Sequence, residues 1–111
     1  MKKDIGGNNT EYLKDYKDLQ DLYKAILELK SLGEMDKFLT DLCTPTELLA
    51  MSDRWKAVQM LGQGIPYREI YEKTGVSTAT ITRVARCLSS GTGGYRLLIE
   101  RLKKERKTYD I

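Results

Sequence analysis

The stretch YREIYEKTGVSTATITRVARCL, residues 67–88, constrains the fold of this chain more than any other feature. It has the pattern of a short helix, a turn at Gly75, and a second helix that begins after Ser77, a residue type that caps helices. Four apolar residues fall where the two helices and their turn must pack together: Ile70, Val76, Ile81 and Val84. This organisation predicts a helix-turn-helix at 67–88.

The second helix of this motif, predicted from Thr78 to Leu88, has an inward face with helical spacing, formed by Ile81, Val84, Ala85 and Leu88. A recognition helix places small residues against base edges in the major groove, and alanine and threonine permit that approach. The residues predicted to read bases are Thr78, Ala79, Thr80, Thr82 and Arg83. Those predicted to contact the DNA backbone are Arg68, Tyr71 and Arg86.

The positive charge of the chain is concentrated in the part that contains this motif. From residue 67 to the end there are ten Lys and Arg against five Asp and Glu, a net charge of +5, whereas the whole 111-residue chain carries +3. Such an asymmetry is expected where one end of a protein meets a polyanion. A solvated basic helix has the same composition, and a basic helix-turn-helix could instead be a protein–protein interaction module that meets an acidic partner without sequence-specific DNA binding.

The composition argues against catalysis and against a metal centre. The chain has no histidine, which removes the usual general base near neutral pH and the commonest metal ligand. Its two cysteines, Cys43 and Cys87, form no CxxC pair, and no secretory apolar segment follows Met1. We therefore expect a reduced cytoplasmic protein that is not an enzyme, holds no metal or cofactor and has no membrane association.

Helical periodicity without any alternating pattern predicts an all-α fold of about six helices. We expect a flexible N-terminal arm at residues 1–9 and a single helical domain at 10–107. The predicted helices are Thr10–Leu32, Met35–Leu42, one from Pro45 to the glycines at 62 and 64, and three more at 67–74, 78–88 and 95–107. The glycine-rich segment SSGTGG, residues 89–94, separates the last two and lacks the strand and the GKS or GKT ending of a phosphate loop.

The first predicted helix carries a broad apolar face that needs cover. Leu22 and Leu29 widen the face of the first helix, which packs either on its own subunit or, as we expect, against a second copy in a dimer.

The third helix has a capping box formed by Thr44 and Glu47 around Pro45. Its predicted inward residues are Leu48, Met51, Trp55, Val58 and Leu61.

The segments CTPTELLAMSDRWKAVQMLGQG at 43–64 and ATITR at 79–83 resemble the tryptophan repressor superfamily, and more closely its small TrpR-like, YerC/YecD-type branch from Gram-positive bacteria. The resemblance covers about residues 36–102. It implies an intertwined all-helical homodimer whose N-terminal helices cross between subunits. Its two helix-turn-helix heads would reach successive major grooves of double-stranded DNA. The predicted function is therefore a sequence-specific DNA-binding transcriptional regulator, a repressor that occupies a promoter.

The same resemblance implies an effector pocket formed by Thr44, Arg54 and Arg83, in which two arginines hold a carboxylate. Where the family has a glycine beside the indole of its corepressor, this chain has Val84, whose side chain takes up the space of the ring. We therefore do not expect L-tryptophan to be the corepressor, and the sequence identifies no other effector. Alternatively, Arg54 and Arg83 contact DNA phosphates in a regulator that needs no effector.

Overall fold

The computed structural model describes the backbone of residues 9–109 and the side chains of residues 15–105. Over these residues the chain forms six α-helices and no strand, which confirms the all-α prediction. The helices are α1 (Asn9–Leu27), α2 (Leu32–Leu42), α3 (Pro45–Gly62), α4 (Tyr67–Thr74), α5 (Thr78–Ser90) and α6 (Gly94–Tyr109). Residues 1–8 of the predicted N-terminal arm lie outside the described residues, and Asn9, its last residue, belongs to α1.

The starts of α3 and α5 and both ends of α4 agree with the sequence prediction, whereas α1 and α2 do not. The first helix ends at Leu27 rather than Leu32, and α2 begins at Leu32 rather than Met35. The reason is local: the Ser31 hydroxyl accepts a hydrogen bond from the Glu34 backbone N–H at 3.1 Å. The Glu34 carboxylate in turn accepts one from the Lys30 N–H at 2.8 Å. This capping arrangement starts a new helix inside the predicted one.

The chain divides into two compact units, Met1–Thr44 and Pro45–Ile111. In the first unit, much of the apolar surface is open to solvent, and α2 has no buried residue. Leu27 is 81% exposed and Leu32 is 90% exposed. Leu27 and Leu32 therefore have little cover from the rest of the first unit.

The second unit contains the core. Its buried cluster consists of Ala57, Ile70, Val76, Ile81 and Val84. Four of these five are the apolar residues that the helix-turn-helix pattern places inside, so their predicted burial is confirmed. Partly buried side chains of Met60, Leu61, Ile65 and Tyr95 pack around the cluster. The core thus holds α4 and α5 against α3 and against the start of α6.

The inward face of α3 differs from the predicted one. Val58 is fully buried, as predicted. Ala57, which was not predicted to point inward, is also fully buried, and Met51, which was, is 37% exposed. A helix surrounded by others on more than one side buries residues that a single apolar stripe does not predict. The Trp55 ring packs at a tilt of 37° against Tyr95, with their ring centroids 6.4 Å apart.

None of the described helices is long and apolar enough to span a membrane. Cys43 and Cys87 are free thiols. Within the part of the chain that the structure describes, no three His, Cys, Asp or Glu side chains are grouped so that they could hold a metal ion.

Candidate nucleic-acid interface

The turn between α4 and α5 is held by one glycine and one threonine. Gly75 has a φ of 75°, a left-handed conformation that glycine adopts without steric cost. The Thr74 hydroxyl donates to the Ile70 carbonyl at 2.6 Å and accepts from the Val76 N–H at 3.0 Å. Because Val76 is buried, at 5% exposure, this second bond satisfies a backbone donor that has little access to water. The angle between the two helices is therefore fixed by local bonds as well as by the core.

The first turn of α5 is closed by the side chain of Ser77. Its hydroxyl accepts from the Thr80 backbone N–H at 3.1 Å and donates to the Thr80 hydroxyl at 2.9 Å. Thr80 is half-buried, so it lies at the edge of the outward face and not among its exposed residues. Its predicted contact with a base stays a prediction, and its hydroxyl already has one partner in the free protein.

The outward face of α5 contrasts with the buried face on the other side of the helix. Ile81 and Val84 are inaccessible to solvent, at 0% and 1% exposure. The other side of the helix exposes Thr78, Ala79, Thr82, Arg83 and Arg86. The structure thus brings five of the predicted DNA-binding residues onto one accessible surface, with small side chains at the N-terminal end of the helix and arginines towards its middle.

The exposed surface of α4 carries the remaining two predicted contacts. Tyr71 is 52% exposed. The Arg68 guanidinium forms an ion pair with Glu72 at 3.3 Å, and Lys73 forms one with Glu69 at 3.0 Å. Both pairs are largely solvent-exposed pairs four residues apart on one helix, a kind that stabilises a helix only weakly. Arg68 can therefore exchange Glu72 for a phosphate at little cost.

A cavity of about 390 Å³ lies beside α5, within the second unit. Its lining residues are Ala50, Asp53, Arg54, Thr80, Arg83, Val84, Cys87 and Tyr95. Arg54 and Arg83, two of the three residues predicted for an effector pocket, therefore share one cavity. Thr44, the third, belongs to the first unit and is not among the lining residues described.

The lining of this cavity suits an anion, because it carries two positive charges and only one negative charge. Two guanidinium groups can bind a carboxylate or a phosphate, and the Asp53 carboxylate offsets part of their charge. Val84 contributes to the cavity wall and to the buried core at the same time. Sequence reasoning missed Asp53 and Tyr95. Asp53 directly precedes the predicted Arg54, but Tyr95 reaches the cavity from another helix and left no local signal.

Comparison with known proteins agrees with this architecture. The family described as Trp repressor protein matches residues 17–103. The uncharacterized protein YerC of Bacillus subtilis (strain 168) is 42% identical over 88 residues, which cover 79% of this chain and 85% of YerC.

Two solved structures are also similar. A TrpR-like protein from Eubacterium eligens ATCC 27750 has a TM-score of 0.76 and 45% identity, covering 78% of this chain and 90% of that protein. A candidate Trp repressor from Staphylococcus aureus has a TM-score of 0.76 and 38% identity, covering 78% of this chain and 87% of that one. On these matches, the chain belongs to the Trp repressor protein family.

Proposed function

We propose that this protein is a homodimeric, sequence-specific DNA-binding regulator of transcription that represses by occupying a promoter. The observation that carries the proposal is the two-sided α5: Ile81 and Val84 anchor one side in the core, and the opposite side presents threonines, an alanine and arginines to solvent. Family membership supports the same function. It acts by binding rather than by catalysis, on DNA in the cytoplasm.

The proposed contacts divide by chemistry. The small hydroxyl and methyl groups at the start of α5 approach base edges, and Arg83 reaches a guanine or a phosphate. The base-reading residues are Thr78, Ala79, Thr80, Thr82 and Arg83. On either side, Arg68, Tyr71 and Arg86 hold the phosphate backbone, which sets the register of the protein on the duplex.

The homodimer is supported by the apolar surface of the first unit. Side chains as exposed as Leu27 and Leu32 are costly in water, and a second copy of the chain offers the same apolar surface in return. Two heads related by two-fold symmetry would bind half-sites about 34–36 Å apart.

We propose that L-tryptophan is not the effector. Val84 is 1% exposed and forms part of the cavity wall, so its side chain occupies space that a glycine at this position would leave to an indole ring. Arg54 and Arg83 then serve DNA phosphates or an anion without an aromatic ring.

The test is selection of duplexes from a random DNA pool by the purified protein, with and without added L-tryptophan. We expect one shared motif with two-fold symmetry in both arms. A motif found only with L-tryptophan would contradict the assignment of Val84. If neither arm enriches a sequence, the basic helix-turn-helix is better explained as a module that binds an acidic protein.

Single substitutions then locate the reading surface. Arg83→Ala should weaken binding to the selected site by about 1–3 kcal/mol and relax the preference at one base position. Arg86→Ala should weaken binding to all sequences alike and lower the salt dependence by about one counterion. The matched control is Arg101→Ala, which removes the same side chain from an exposed position of α6. If Arg83→Ala behaves like Arg101→Ala, α5 does not read the DNA.

A further inference from the structure

The glycine-rich segment SSGTGG, residues 89–94, closes the C-terminal end of α5. The Gly91 N–H donates to the Cys87 carbonyl at 2.8 Å. The hydroxyls of Ser89 and Ser90 both donate to the Arg86 carbonyl, at 3.2 and 3.1 Å. Carbonyls in the last turn of a helix, here from Cys87 onward, lack partners within the helix, so the Gly91 bond supplies what the Cys87 carbonyl would otherwise take from water. The two serine bonds add further contacts at the Arg86 carbonyl.

The cap is completed by a side chain from the next helix. Arg96 Nε donates to the Leu88 carbonyl at 2.9 Å, and its Nη2 donates to the Ser89 carbonyl at 3.2 Å. Four consecutive carbonyls, from Arg86 to Ser89, therefore each accept a hydrogen bond from a serine, a backbone N–H or this guanidinium.

Electrostatics explains why an arginine stands at this position. Arg96 lies in the first turn of α6, where the positive end of the helix dipole disfavours a cation. Its guanidinium instead faces the negative end of α5, a helix with no basic residue in its own last turn. The charge thus stabilises α5 rather than the helix that carries it.

The glycines give the segment a defined shape. A Cβ on Gly91 would collide with the Cys87 carbonyl oxygen and lie 3.1 Å from the Cys87 Cα, and Gly93 has a φ of 97°. These positions need glycine for close approach and for a left-handed backbone, which is typical of a tight closure and not only of a flexible tether.

We propose that Arg96 is a positioning residue for DNA reading. Ser77 holds the N-terminal end of α5, and Arg96 holds the C-terminal end, so that the helix between them presents its side chains at a fixed angle. Base contacts require placement within about 0.5 Å, whereas long side chains that reach phosphates adapt to small shifts. The two hydrogen bonds from Arg96, called the Arg96 clamp below, therefore affect discrimination between DNA sequences more than the total affinity for DNA. This inference rests on the proposed function.

The decisive variant is Arg96→Lys, with Arg101→Lys as its matched control. Lysine keeps the charge, but its ammonium lacks the planar fork with which Nε and Nη2 of Arg96 reach two different carbonyls. The measurement is the ratio of affinities for the selected site and for a scrambled duplex at the same salt concentration. Arg96→Lys should lower this ratio about tenfold, equivalent to the loss of one base contact, with scrambled-DNA affinity within about twofold of wild type. Arg101→Lys should leave both affinities unchanged.

Arg96→Ala separates this role from a phosphate contact. If Arg96 touches DNA directly, the alanine variant loses affinity for both duplexes equally while the lysine variant does not, and the inference is wrong. An unchanged ratio in Arg96→Lys also overturns it. Nuclear magnetic resonance of the protein without DNA tests the clamp itself, through the rate at which the Arg96 Nε proton exchanges with water. We expect this proton to exchange slowly. Exchange as fast as that of the Arg101 Nε proton would contradict the clamp. If the wild-type protein selects no sequence, the proposed function fails first, and the role of Arg96 in DNA reading fails with it.

Discussion

Gly91→Ala should destabilise the protein through a collision that a side chain at Gly93, the other glycine between α5 and α6, would not cause. The backbone of Gly91 has a φ of −82°, which alanine adopts freely, so the effect does not come from a strained dihedral angle. It comes from space: the new Cβ would meet the Cys87 carbonyl oxygen and lie 3.1 Å from the Cys87 carbonyl carbon. These are backbone atoms of a packed helix, which cannot rotate away as a side chain can.

The expected loss of stability depends on whether the segment moves away from α5 to make room for the new Cβ. If the segment moves away from α5, the bond from Gly91 to Cys87 and the two bonds from Arg96 are lost or lengthened. Each is worth about 0.5–1.5 kcal/mol, and solvent exposure favours the lower part of that range. If the segment does not move, overpacking costs about 1–3 kcal/mol instead. Both routes lead to a loss of about 2 kcal/mol in the free energy of unfolding.

Gly94→Ala is the matched control. A Cβ on Gly94 meets nothing within 4 Å, and alanine favours a helix over glycine, so this variant should be as stable as wild type or up to about 1 kcal/mol more stable. Urea unfolding followed by circular dichroism measures both, at one protein concentration because dimerisation couples to stability. If Gly91→Ala proves as stable as Gly94→Ala, the segment is not a closed cap and the collision argument is refuted.

Substitutions at three further sites, with their controls, test the motif by the same unfolding measurement. Ile81→Ala removes a fully buried side chain and should cost about 2–5 kcal/mol, whereas Thr82→Ala on the exposed face should change stability by less than about 0.5 kcal/mol; equal effects would contradict the two-sided helix. Thr74→Ala leaves the buried Val76 N–H without its acceptor and should cost about 1–3 kcal/mol; a neutral result would mean that water replaces the hydroxyl. Ser77→Ala removes the cap of α5 and should cost about 1 kcal/mol, and Ser77→Asp should restore most of it.

The starts of helices were predictable where the signal is carried within a few residues. Pro45 suits the first position of a helix, and Gly75 provides a left-handed residue between two helices. The same kind of signal, Ser31 followed by Glu34, marks the start of α2 and was outweighed by the long apolar periodicity of the preceding segment. Local hydrogen bonds interrupted that periodicity, because apolar spacing alone does not fix where a helix ends.

By itself, the sequence determined which residues of the helix-turn-helix face inward: Ile70, Val76, Ile81 and Val84 are all buried, because helical spacing dictates which side chains share a face. Only the tertiary structure decided how groups on different helices meet, although the family resemblance implied that Arg54 and Arg83 share a pocket. Arg54 from α3 shares a cavity with Arg83 from α5, and Arg96 reaches back over the glycine-rich segment to the end of α5. Neither meeting has a periodicity or a local bond to reveal it, since the packing of whole helices against one core sets these distances.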